Sequence, residues 1–206
     1  MTIILHDYWR SSASYRVRIA LALKGLRYEV KPVDLLTGAQ TSPAHLALNP
    51  QGLVPVLEID GLVLTQSLAI IAYLEETRPE PPLLPADLPS RARARAIALA
   101  IAADLHPVAN IGVLKRVEAI GGHEARLSWN RETIASGLAK VEAMLGDGSS
   151  FAVGNAPTIA DCVIVPQLYN ARRWAVDLTP FPKLRGIDEN CSAHPAFQAA
   201  APVEAP

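Results

Sequence analysis

The chain has 206 residues, 50% hydrophobic and 19% charged, enough to bury one large core or two small ones. Its net charge is −1, with Lys and Arg scattered, which argues against a nucleic-acid partner or an anionic membrane surface. No apolar run approaches the roughly 20 residues of a membrane span, and "MTIILHDYWR" does not read as a signal peptide. Two cysteines, Cys162 and Cys191, stand outside any CxxC motif and favour a reducing, cytoplasmic setting. The five histidines form no HxxxH or HExxH pair, so no metal site is expected.

In chain order, "TIILH" reads as a short strand. "SYRVRIALALKG" has helical spacing and ends at Gly25, a natural stop. "RYEVKPV" is a second strand of period two. After a polar connection, two β-rich runs flank Asp60-Gly61, a strong hairpin signal. "SLAIIAYLEE" is a helix with Ser67 as its expected N-cap. "PEPPLLPADLP", residues 79 to 89, holds five prolines and reads as an interdomain linker. Everything beyond is helical: residues 90–106, 124–145 and 158–174, the last opened by Thr158 and Asp161 in a capping-box arrangement.

Three stretches carry candidate chemistry. In "YWRSSASYRVR", Ser11, Ser12 and Ser14 crowd the start of the first helix, where backbone N–H groups and the dipole favour an anion. A thiolate suits such a place, because its pKa falls near helix N-termini and hydrogen-bond donors. The same serines also read as a simple cap, formed by Ser12 or Ser14. Val54-Pro55, an X-Pro step before a strand, can be cis and can expose backbone for an extended peptide. Gln66-Ser67 opens a helix and can hold a carboxylate, although Ser67 serves equally as a cap.

Together "RSSASYRVRIALALKG", "ALNPQGLVPVLEIDG", "QSLAIIAYLEE", "LLPAD", "APTIADCVIVPQLYNARRW" and "VDLTPFP" resemble the zeta-class glutathione transferases, a family that includes maleylacetoacetate and maleylpyruvate isomerases. The resemblance implies an α/β thioredoxin-like glutathione-binding domain over residues 1–78, a linker over 79–89 and an all-α C-terminal domain over 90–206. It implies glutathione as cofactor and a homodimer. Carried onto this sequence, it puts Ser11 at the glutathione sulfur, with Ser12, Ser14, Tyr15 and Arg16 around it. Val54 would pair with the cysteinyl backbone, and Gln66 and Ser67 would hold the γ-glutamyl end. Gln40 and His106 would line the glycyl and sulfur sides, followed by Asn110, Ile111 and Gly112. Arg10 and Arg173 would receive substrate carboxylates.

Two departures stand out: Ala13 replaces the usual cysteine of the loop, removing any thiol for a mixed disulfide there, and Gly112 stands where some relatives carry arginine. The implied reaction is cis–trans isomerisation of a maleyl dicarboxylate by reversible thiolate addition. Conjugation of small electrophiles and non-catalytic glutathione or ligand binding are the competing readings.

Overall fold

The structure is a computed structural model and describes residues 2–203. It divides into two compact units, one spanning Met1–Leu83 with His194–Pro206 and the other Leu84–Ala193.

The first unit is built on β1 (Ile4–Asp7), α1 (Ser12–Leu23), β2 (Glu29–Pro32), α2 (Pro43–Leu48), β3 (Val56–Ile59), β4 (Leu62–Thr65) and α3 (Ser67–Thr77). The sheet runs β2-β1-β3-β4. β1 and β2 are parallel, with Ile4 opposite Glu29, and β3 is antiparallel to both β1 and β4. A parallel pair needs a crossover, and α1 supplies it. The helix stops in a Schellman turn: Gly25 sits at φ +65°, its N–H bonds Ala22 O, and Leu26 N–H returns to Leu21 O at 2.9 Å. Asp60 and Gly61 have φ of 53° and 80°, as a tight hairpin of this kind demands.

The core of this unit is Leu5, Ile19, Leu21, Leu57, Ile70, Ile71 and Leu74, all buried. Lys24 lies buried at the end of α1 and donates to Glu75 of α3 and to Pro81 O, at 2.6 and 2.7 Å. The sequence pattern leaves residues 34–52 as a connection. They contain a 3-10 turn, Ala39–Thr41, and α2, capped by Ser42 with Pro43 in its first turn. A six-residue helix is too short to show a period.

The second unit contains α4 (Leu88–Leu99), α5 (Ile111–Met144), α6 (Ile159–Arg173) and α7 (Pro182–Ala193). α4 starts inside the expected linker, because Asp87 accepts the N–H of Ser90 and Pro89 fits the first turn. A π segment, Ala100–Leu105, and a 3-10 turn, His106–Ala109, follow without a gap. Residues 111–123, unassigned by the sequence pattern, form the first part of α5, which breaks at Gly122 with φ 81°. One stretch within Leu88–Met144 is in fact long and apolar enough to cross a membrane by composition, against the expectation of none. It bends through the π and 3-10 turns and packs Ile97, Ala98 and Ile101 into the core of the unit.

The capping box of α6 forms as expected. Buried Asp161 accepts from Thr158 N, Thr158 Oγ1 and Ala152 N at 2.7–2.9 Å. Burial pushes its carboxyl above the usual range, against the pull of those bonds. Cys162 and Cys191 are buried and form no disulfide, and burial pushes the Cys191 thiol up, so it carries no reactive thiolate.

Gly137 of α5 faces the π segment at van der Waals range. A Cβ there would lie 2.5–2.9 Å from three side-chain atoms of buried Leu105. Replacing Gly137 with alanine therefore overpacks this contact, at about 1–3 kcal/mol, which outweighs the gain of about 1 kcal/mol in helix propensity. The expected result is a lower urea midpoint; a higher one would mean that Leu105 moves aside freely.

The final helix, α8 (Pro195–Ala200), lies in the stretch that the expected boundaries give to the helical domain. It packs on α1 in the first unit, burying Phe197 and Ala200.

Candidate active site

The loop after β1 is held from below by Arg18. Its guanidinium donates to both carboxylate oxygens of Asp7, at 2.9 and 2.7 Å, to Trp9 O at 2.9 Å and to Ala200 O at 3.0 Å. Arg18 and Asp7 are both buried. Arg10 projects from this loop with its guanidinium 5.6 Å from the Tyr8 and Trp9 ring centres.

Ser11, rather than Ser12 or Ser14, is the N-cap of α1: its Oγ accepts the N–H of Ser14 at 3.2 Å. Accepting that bond occupies a lone pair and leaves the hydroxyl proton free to donate outward. Ser11 is partly exposed and Ser12 is buried. Ser14 is completely buried with no partner for its hydroxyl, and Tyr15 is buried with the Arg18 guanidinium 5.1 Å from its ring centre. These last two lie on the packing side of α1. Ser12 and Arg16 share that burial, so the expected group around the sulfur is largely buried in α1.

The Val54–Pro55 bond is cis. The β3 ladder begins at Val56, so the Val54 backbone lies outside the sheet hydrogen bonds, while its side chain packs with Tyr8 and Val33. The preceding carbonyl, Leu53 O, is fixed by two buried donors, His45 Nε2 and Asn49 Nδ2, each at 2.9 Å. Asn49 Oδ1 accepts from Gln51 N, and Gln51 Oε1 accepts from Gln66 Nε2 at 2.8 Å. A bonded chain thus joins the Val54 loop to the start of α3. Gln40, in the 3-10 turn, has a buried Oε1 with no partner. His45 and Asn49 were missed from sequence; "ALNPQG" contains Asn49, but nothing local shows that Leu53 O needs two donors.

Gln66, rather than Ser67, is the N-cap of α3. It stands at φ 66°, ψ 112° and makes no side-chain cap bond. Such backbone in a non-glycine residue is strained by about 1–3 kcal/mol and collects at ligand sites. Ser67 begins the helix, and its Oγ accepts from Arg16 Nη1 at 3.2 Å. Burial lowers the Arg16 guanidinium to about 10, so it still carries its charge at neutral pH.

The other candidates lie in the second unit. His106 opens the 3-10 turn after the π segment. Asn110 caps α5, its Oδ1 accepting Val113 N at 3.0 Å, and Ile111 and Gly112 form the first turn. Asn110 Oδ1 would lie 3.3 Å from a Cβ at Gly112. Arg173 ends α6, exposed, with its guanidinium 6.0 Å from the Tyr169 ring centre. Arg172 beside it pairs with Asp188 of α7.

The sequence pattern of the glutathione S-transferase N-terminal domain matches residues 1–76, and that of the C-terminal domain matches residues 91–199. The chain belongs to the glutathione S-transferase family, in its zeta class. A maleylacetoacetate isomerase of Rhizobium meliloti is 55% identical, over 98% of this chain and 97% of its own. A bacterial zeta-class maleylpyruvate isomerase in its holo form superposes with a TM-score of 0.93 at 43% identity, covering 97% and 96% of the two chains. The maleylacetoacetate isomerase of Anaeromyxobacter dehalogenans, solved with dicarboxyethyl glutathione and citrate in its active site, gives a TM-score of 0.88 at 50% identity, covering 98% and 94%. The Ser11 cap and the uncapped start of α3 are both helix N-termini of the first unit, with backbone N–H donors suited to an anion.

Proposed function

We propose that this zeta-class transferase is a glutathione-dependent cis–trans isomerase of a maleyl dicarboxylate, maleylacetoacetate or maleylpyruvate. The observation that carries the reading is the ligand of the Anaeromyxobacter relative. A dicarboxyethyl group on sulfur is what remains when a thiolate adds across a four-carbon double bond with a carboxylate at each end. In the proposed cycle the glutathione thiolate adds to the alkene carbon, and the π electrons move onto the neighbouring carbonyl as an enolate. The former double bond is then single and rotates. Collapse of the enolate expels the thiolate and leaves the trans isomer, so no glutathione is consumed.

Ser11 donates to the thiolate, and the α1 N-terminus adds its dipole. Val54 pairs with the cysteinyl backbone, and Gln66 and Ser67 hold the γ-glutamyl end; Gln40, His106 and Asn110 to Gly112 complete the class pattern of the glutathione site. Arg10 and Arg173 bind the substrate carboxylates. The chain acts as a cytoplasmic homodimer. Assay of both substrates side by side tests the reading: it requires turnover with the glutathione concentration unchanged. Consumption of glutathione would mean conjugation, and no turnover would mean a binding protein.

Arg173→Met should raise KM for the maleyl substrate while activity towards an uncharged electrophile barely changes; losing one charge-assisted bond costs about 1.5–3 kcal/mol. Equal losses on both substrates would assign Arg173 to structure. Arg172→Met would be no neutral control for this test, because the Arg172 pair with Asp188 ties α6 to α7.

A further inference from the structure

Leu53 is held by its carbonyl and not by its side chain, which stands exposed. Its oxygen receives His45 Nε2, from α2, and Asn49 Nδ2, from the cap of that helix, at 2.9 Å each. A carbonyl oxygen has two lone pairs, so these donors fill it. The Leu53–Val54 bond is trans, and in a trans peptide the N–H points opposite to the C=O. Fixing Leu53 O towards α2 therefore turns the Val54 N–H away from α2. There it has no hydrogen-bond partner among the described residues. Donors on the oxygen also polarise the peptide and strengthen that N–H as a donor.

The two donors do not share the task equally. Asn49 also accepts Gln51 N, so it shapes the loop at a second point. The buried His45 ring bonds through Nε2, and its Nδ1 is buried without a partner. Because Leu53 O can only accept, Nε2 carries the ring proton and Nδ1 is a bare lone pair. The ring packs edge-on to His6, with centres 6.2 Å apart. A phenyl ring could pack in the same way and would leave nothing unsatisfied. What the imidazole adds is the Nε2 proton.

We propose that His45 is a positioning residue for glutathione. Its Nε2 proton sets the plane of the Leu53–Val54 peptide, so that the Val54 N–H stands ready for the cysteinyl carbonyl of the ligand. This role rests on reading the first unit as a glutathione site, and extends that reading to a side chain that touches no ligand atom. With one donor removed, Leu53 O is held by Asn49 alone and the peptide plane can swing. The loss then falls on binding and not on the chemical step.

The test compares wild type with His45→Phe, which keeps a ring without the proton, and His45→Gln, whose amide nitrogen restores a donor. The probes are glutathione and γ-glutamylcysteamine, which lacks the cysteinyl carbonyl and the glycine but keeps the thiol and the γ-glutamyl end. By calorimetry, His45→Phe should bind glutathione about 3- to 10-fold more weakly, the worth of one neutral hydrogen bond. It should bind γ-glutamylcysteamine like wild type. KM for glutathione should rise by the same factor with kcat at saturating glutathione unchanged, and His45→Gln should recover most of the affinity. In wild type, the Val54 amide proton signal should shift downfield on adding glutathione and far less on adding γ-glutamylcysteamine. An equal loss for both peptides, a parallel fall in kcat or no recovery in His45→Gln would overturn the assignment. Wild type that binds glutathione with the Val54 amide unmoved would overturn it too, whether or not His45→Phe folds. Wild type that binds neither peptide would instead overturn the glutathione reading, and this role with it.

Discussion

Ser11→Ala is expected to lower kcat/KM about 100- to 1,000-fold, the usual cost of one donor to a developing or stabilised anion in a closed site. Two losses are combined in that number and they separate. Ser11 Oγ caps α1 through the Ser14 N–H, and removing a cap costs about 1 kcal/mol of stability. In the proposed cycle the free hydroxyl proton is the donor to the sulfur, so removing it should leave the bound thiol with a higher pKa. The acid limb of the pH–rate profile should then move to higher pH, because less of the bound cofactor is thiolate at any given pH below its pKa. Ser11→Gly divides the effects, since glycine caps to within a few tenths of a kcal/mol of serine. It should fold like wild type and titrate like Ser11→Ala. Ser11→Thr keeps cap and hydroxyl and should restore most activity. A thiolate titration unchanged in Ser11→Ala would shift the role to Ser12 or to the backbone amides.

Arg18→Met should be the most destabilising of these changes, by about 3–5 kcal/mol, because it strands a buried carboxylate. Asp7 loses both of its guanidinium bonds, and Trp9 O and Ala200 O lose theirs. The double variant Asp7→Asn/Arg18→Met removes the stranded charge and should recover part of the loss; replacing both members of a buried pair is far milder than removing one. Urea unfolding of the two variants measures this. A double variant no more stable than Arg18→Met would mean that the carbonyl bonds, rather than the ion pair, hold the loop.

Those arginines also mark where the sequence stopped being readable. "RVRIAL" displays the period of α1 and the stop at Gly25, and Asp60-Gly61 and Thr158–Asp161 are local patterns that folded as they read. What "RVR" cannot show is that both of its arginines are buried. Their environment comes from Asp7, Ser67 and Ala200, which lie 11, 51 and 182 residues away. The caps failed for a related reason. Three serines in four positions give no way to choose Ser11, and Gln66 combines a positive φ with a side-chain bond to Gln51 from another loop, neither of which its local sequence shows. The helices at 111–121 and 182–200 were hidden by Gly121-Gly122 and by Pro182 and Pro195, residues that end a pattern when read linearly and begin or bend a helix when folded.

The return of α8 to α1 has a consequence for how the molecule is made. Emerging from a ribosome, the α/β unit can pair all four strands and lay α1 and α3 on them long before Phe197 has been synthesised. The face of α1 that Phe197 and Ala200 cover, and one donor of Arg18, must wait until more than a hundred further residues have been added. The nascent α/β unit is therefore an incomplete folding unit, held open at one seam. A fragment ending at Leu83 should be correspondingly soft, and a permuted gene that appends residues 194–203 directly to that fragment should firm it without any of the intervening helices.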